Sequence, residues 1–218
     1  MKSFFRNNGL SVAFLVLFLC SFVGQIYFGL EEFNKEVVEE GGNAVALGDY
    51  LMSGHFVEST FENWESEFLQ MALFIVLTIF QQQKGSSESK DFDKPEEVDQ
   101  EPDRSKKDAP WPVRAGGWML KLYKHSLTIA FALLFLISFA LHFYGSLDDE
   151  NLHLSLKGEP LQTAADYFLD SRFWFESFQN WQSEFLSVFA IVLLSIFLRQ
   201  KGSPQSKPVD ASNSRTGE

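Results

Sequence analysis

The stretch Phe61-Glu62-Asn63-Trp64-Glu65-Ser66-Glu67-Phe68-Leu69 returns 117 positions later as Phe178-Gln179-Asn180-Trp181-Gln182-Ser183-Glu184-Phe185-Leu186. The correspondence extends without a gap from Leu10–Lys90 to Leu127–Lys207, so the chain reads as one unit written twice. That period is far longer than the roughly 20–50 residues of a solenoid repeat. Each copy holds two apolar stretches, and each stretch is evidence for its counterpart.

The first stretch carries no charge between Asn7 and Leu30, and its core, Leu10 to Gly29, has the roughly 20 residues that cross about 30 Å of hydrocarbon. His125 to Leu147 repeats it. Lys2 and Arg6 before the first run would suit a cleaved signal peptide, but the run is long for one and its counterpart is internal. The second stretches, Phe68–Phe80 and Phe185–Leu198, are short by themselves. Extended back to Phe61 and Phe178 they reach a spanning length. Trp64 and Trp181 then become interface anchors at headgroup depth, with Glu67 and Glu184 about one turn deeper. Gly85 and Gly202 are expected to stop these helices, just after Lys84 and Lys201, whose stems can snorkel.

Charge orients the spans. Lys2, Arg6, Lys84, Arg114, Lys121, Lys124, Arg199 and Lys201 flank the membrane at the termini and the centre of the chain. The two remaining loops are acidic, with Glu31, Glu32, Glu36, Glu39 and Glu40 in one and Asp148, Asp149, Glu150, Glu159, Asp166 and Asp170 in the other. The positive-inside rule places both termini and the central linker in the cytoplasm. Both hairpins then point the same way, a parallel repeat about an axis along the membrane normal.

The expected fold is therefore all-α and integral to the membrane: four transmembrane helices in two antiparallel hairpins, with aromatic-rich interfacial helices on the outer side. The first hairpin covers 1–90, a disordered cytoplasmic linker 91–113, the second hairpin 114–207 and a disordered tail 208–218. The linker is rich in Ser, Lys, Asp, Glu and Pro and cannot bury enough surface to offset its ordering entropy. Trp111, Trp118, Leu120, Leu122 and Tyr123 suit either a segment lying on the inner leaflet or an early start of the third helix. On the outer side, Phe33, Val37 and Val38 suggest a turn or two of helix ended by Gly41-Gly42. Asp49-Tyr50 and Asp166-Tyr167 read as helix starts, with Asp as cap, and the run Phe173 to Trp181 as an interfacial helix.

Composition agrees. The 218 residues include 24 Phe and 5 Trp, a density suited to lipid-facing helices and aromatic belts. The mean hydropathy of -0.07 averages very apolar segments with a very polar linker and tail. A net charge of -11 argues against nucleic acid, which needs a basic face. Cys20 is the single cysteine, so no intramolecular disulfide exists. There is no Gly-rich phosphate loop, no His-Glu-x-x-His, no zinc-type cysteine pair and no Gly-x-Ser-x-Gly. The four histidines, His55, His125, His142 and His153, lack metal-ligand spacing. No enzyme, cofactor or metal is expected. The expected partners are the lipid bilayer and further copies of the chain, and the sequence names no other protein.

One constellation bears a hypothesis. Asn63, Glu67 and Gln70 fall at i, i+4 and i+7 on one helical stripe, and Asn180, Glu184 and Ser187 repeat it. A carboxylate below the headgroups is costly unless it faces a partner or water. Gln25 and His142, themselves at matching repeat positions, lie at comparable depth on the neighbouring helices. Gln25 with Glu67, and His142 with Glu184, would form a polar site near the outer leaflet able to take a cation, a proton or a lipid headgroup. In the plainer reading the glutamates snorkel beside Trp64 and Trp181, and Asn63, Ser66, Asn180 and Ser183 are interhelical glue.

The block Asn63 to Gln70, with Ser53-Gly54-His55-Phe56 before it and Lys84-Gly85-Ser86 to Ser89-Lys90 after it, resembles a family of small bacterial membrane proteins. So does Arg172 to Trp181 with Lys201-Gly202-Ser203. That family is known as a domain of unknown function. The resemblance implies a bacterial inner-membrane location and carries over no activity and no site residue. The function expected is a non-enzymatic structural, interaction or envelope-stress role. The alternative is a small ion or proton channel, or a transporter subunit, using Glu67 and Glu184.

Overall fold

Apolar runs, glycine stops and the 117-residue offset set the elements of this computed structural model, which describes residues 2–92 and 95–217. Positions 93 and 94 of the expected linker, and the side chain of Lys2, lie outside the described residues. Helix α1 covers Lys2–Glu39, α2 Leu47–Tyr50, α3 Gly54–Phe80, α4 Trp111–Ala115, α5 Gly117–Lys124, α6 Ser126–Lys157, α7 Ala164–Phe168 and α8 Ser171–Phe197. Among the described residues there is no strand. The starts of α2 and α7, and both ends of α3 and α8, differ by the same 117 positions as the sequence repeat.

Among the described residues three helices are long and apolar enough to cross a membrane: Phe4–Glu39, Ser126–Lys157 and Ser171–Phe197. Helix α3 has the same 27 residues as α8, about 40 Å of rise, but carries Glu58, Glu62, Glu65 and Glu67 in its first half. Those acids, three of which have uncharged counterparts in α8, hold it apart from the other three. The large apolar side chains of the long helices point outward; Leu10, Phe14, Leu133 and Phe189 are 54–75% exposed. The buried side chains are largely polar, including Glu58, Glu65, Ser138, His142, Ser146, Asp149 and Ser177. A water-soluble domain shows the reverse distribution.

Several boundaries differ from the sequence expectation. Helix α1 does not stop near Gly29 but continues through the acidic stretch to Glu39. Its end is a Schellman motif: Gly41, at φ 90°, and Gly42 donate to the Val38 and Val37 carbonyls. Gly158 and Glu159 close α6 on Ser155 and Leu154 in the same way. Asn8 breaks the helical dihedrals near the start of α1, and its amide donates to the Phe4 carbonyl. The aromatic run Phe173 to Trp181 is not a separate interfacial helix; it is the first third of α8. Asp166 sits in the first turn of α7, and Thr163 is the residue that caps it, accepting from the Asp166 N–H. Helix α5 is distinct from α6, separated by His125. Helices α3 and α8 end at Phe80 and Phe197, five residues before Gly85 and Gly202.

The chain packs as two compact units, Met1–Phe61 with Ala140–Phe173, and Glu62–Phe139 with Trp174–Glu218. In the first, Phe33, Val37 and Tyr50 form an apolar core with Phe56, Leu152 and Leu156 against them. Asn34 clamps the following loop by exchanging two hydrogen bonds with the Val45 backbone, and Asn151 does the same to Gln162. Gly54 on α3 and Gly145 on α6 let the two backbones touch: a Cβ on either would collide with backbone atoms of the other helix.

In the second unit the aromatic pairs Phe68–Phe131 and Phe135–Trp181 pack the helices. The Ser89 hydroxyl accepts from the Gln83 N–H after α3, and Ser206 from Gln200 after α8, each at 2.9 Å. The segments expected to be a disordered linker and tail carry contacts here. Lys90 pairs with Asp99 at 2.7 Å and Lys124 with Glu101 at 2.6 Å. Lys207 is buried, its ammonium directed at the carbonyls of Gly85, Asn213 and Arg215, and that burial pulls its pKa down.

Candidate functional site

Two polar groupings stand out, one in each unit. In the second unit, α3 and α8 supply the motif residues. Its first-copy acids meet the second copy's motif: Asn180 donates to Glu62, and the Trp181 indole N–H donates to Glu65 at 2.9 Å. Glu65 is fully buried, whereas Asn63 and Glu67 are exposed and Glu184 is half-buried. Ser66 and Ser183 bond back to the carbonyls of Asn63 and Asn180, within their own helices. Glu67 and Glu184, which occupy the same repeat position, lie within electrostatic reach of one another. Trp64 is half-buried.

In the first unit the Gln25 amide donates to Thr60 at 3.1 Å and Ser59 at 3.4 Å. His142 is buried, its ring 5.1 Å from that of Phe173. Gln25 and His142 therefore find their partners on α3 and α8 ahead of the motif block.

A charged cluster in the first unit was not singled out by the sequence. Arg172, the second residue of α8, pairs with Glu58 of α3 and with Asp149 and Glu150 of α6. Asp149 is 3% exposed and also faces His153 Nε2 at 3.7 Å. His153 Nδ1 meets Glu40 at 2.6 Å, and Lys157 meets the other Glu40 oxygen at 3.1 Å. The hydrogen bond from His153 is the main reason the Glu40 carboxyl is held below the usual carboxylate range. The signal that could have found this cluster was charge reversal between the copies: Lys157 is the repeat counterpart of Glu40, and the two residues touch.

The family described as a domain of unknown function (DUF6766) matches residues 1–218. The chain belongs to that family. No curated protein and no solved structure matches it. Membership agrees with the expectation of a domain of unknown function and attaches no activity to either grouping. Among the described residues no group of three or more His, Cys, Asp or Glu side chains could hold a metal ion.

Chemically, the second-unit grouping is a set of helix-to-helix hydrogen bonds. The first-unit cluster is a chain of alternating charge from Glu58 to Lys157. Neither contains a nucleophile paired with a base, and Cys20, the single thiol, is exposed on α1.

Proposed function

We propose that the chain is a four-span protein of the bacterial inner membrane with both termini in the cytoplasm. Its role is structural, one of interaction or one in envelope stress, and not enzymatic. In this reading α3 is the fourth span, with Glu62 and Glu65 sheltered by α8, and the two hairpins are parallel copies held together by polar contacts. The carrying observation is that two acids of the first motif block are spent on the second: Glu65 is buried on the Trp181 indole, and Glu62 receives Asn180. A permeation path needs polar groups left available to the permeant. Here the interhelical glue that polar side chains supply inside bilayers accounts for them.

One observation favours a second reading, a small channel or transporter subunit. The Glu67 and Glu184 carboxylates have no hydrogen bond or ion pair among the described residues, and they oppose each other at the same repeat position. Flux through proteoliposomes separates the two. The structural role predicts no cation or proton flux in the wild type under any gradient, and an unchanged folded yield for the double variant Glu67→Gln/Glu184→Gln. Wild-type flux that disappears in that well-folded double variant would overturn it.

A further inference from the structure

We propose that His153 is a proton-operated clasp: as an imidazolium it ties Glu40, just beyond the end of α1, to Asp149 on α6, and loss of one proton releases one of the two. His153 presents a carboxylate to each ring nitrogen, Glu40 at Nδ1 and Asp149 at Nε2. A neutral imidazole has one N–H and one lone pair, so one of the two contacts would set a lone pair against a carboxylate oxygen. The doubly protonated ring donates a hydrogen bond to Glu40 and turns its second N–H, as an ion pair at 3.7 Å, toward Asp149. Histidine is also the side chain whose ordinary charge change falls between about pH 5 and 8.

The surroundings call for the same proton. Facing the cluster are Glu40 after α1; His55 and Glu58 from α3; Asp149, Glu150 and Lys157 from α6; and Arg172 from α8. These include four carboxylates against two permanent cations, Arg172 and Lys157. The remaining negative charge is matched when His153 and His55 are protonated. Two buried atoms in the group, Asp149 Oδ1 and His55 Nδ1, have no hydrogen-bond partner. Buried charge without a partner is expensive, and a proton is the ligand that corrects it without needing room.

The contact is placed to matter. Glu40 and the last turns of α1 are otherwise held to α6 by the Lys157–Glu40 pair at 3.1 Å and by Phe33 and Val37 packing near Leu152 and Leu156. Opening the clasp weakens that attachment at the junction between the two copies. The proposal is independent of how many helices span the membrane.

The test uses the full-length chain in detergent micelles, with thermal unfolding followed between about pH 5.5 and 8.5 and histidine ring NMR on the same samples. The expected result is a midpoint that falls by about 3 °C as pH rises, in step with deprotonation of the His153 ring. His153→Gln, with one donor and one acceptor, should remove most of that dependence. His153→Arg, a permanent cation, should hold the midpoint at its low-pH value throughout. Should a His153 variant fail to fold, Glu40→Gln at the half-buried end of the loop should flatten the same slope. A ring that stays neutral at about pH 5.5, or a slope left intact in His153→Gln or Glu40→Gln, overturns the proposal.

Discussion

Tyr50 and Tyr167 occupy the same place in the two copies, both fully buried, yet their hydroxyls are treated differently. The Tyr167 hydroxyl shares a hydrogen bond with Ser146. The counterpart of Ser146 is Gly29, which offers nothing, so the Tyr50 hydroxyl is buried without a partner. Burial alone raises the Tyr50 pKa. A buried hydroxyl that lacks a bond contributes only its desolvation cost. Tyr167→Phe should therefore cost about 1 kcal/mol, while Tyr50→Phe should be neutral or stabilising. Thermal unfolding of the two single variants measures the difference, and equal losses at both sites would contradict the asymmetry. Gly29 adds a coupled case. A Cβ there would run into the Tyr50 hydroxyl, with the ring carbon behind it at 3.1 Å. Gly29→Ala should cost about 1–3 kcal/mol in the wild type and distinctly less beside Tyr50→Phe.

The ends of α3 and α8 share one capping device, spelled Lys-Gly-Ser-x-x-Ser-Lys after each helix. Glycine takes a positive φ, 86° at Gly85 and 85° at Gly202, and the second serine accepts the Gln83 or Gln200 N–H. An L side chain at such a φ costs about 1–2 kcal/mol. Gly202 has open space, whereas a Cβ on Gly85 would meet the Asn213 carbonyl of the tail. Gly202→Ala should therefore show the dihedral cost alone. Gly85→Ala should cost more and loosen the tail, read as faster trypsin cleavage at Arg215. Equal stability and equal cleavage in the two variants would count against the docked tail. The helices themselves were legible in the sequence, because a long uncharged run and its repeat leave little else to form. Their ends were not. Helix α1 runs on through Glu31 to Glu39 because Phe33 and Val37, one turn apart, bury on one face while the acids stay on the other. The candidate stripe shows a related limit. Asn63, Glu67 and Gln70 have the same i, i+4, i+7 spacing as Glu58, Glu62 and Glu65, five residues earlier and about 140° around the helix. Spacing finds both stripes, and only packing shows that Glu65 is buried and Glu67 exposed.

For the whole molecule, topology turns on whether α3 crosses the bilayer with the other long helices. By composition it is the weakest of the four, and its acids lie in the half nearest the first-unit cluster. The cost of a carboxylate at depth falls when it is hydrogen-bonded to a neighbouring helix, as Glu62 and Glu65 are. Its second half, Phe68 to Phe80, holds no charge at all. A spanning α3 puts the α1–α3 loop and the central linker on opposite faces, whereas a surface-bound α3 leaves them together. Single cysteines in a Cys20→Ser background distinguish these, at the exposed positions Asn43, Ser105, Ser155 and Ser212. With four spans, a membrane-impermeant maleimide added to intact cells should label Asn43→Cys and Ser155→Cys. Ser105→Cys and Ser212→Cys should react only after the membrane is opened. Joint labelling of Asn43→Cys and Ser105→Cys from one side would remove α3 from the spans. Parallel hairpins could not survive that result, because the linker would then start the second copy from the opposite face to the first.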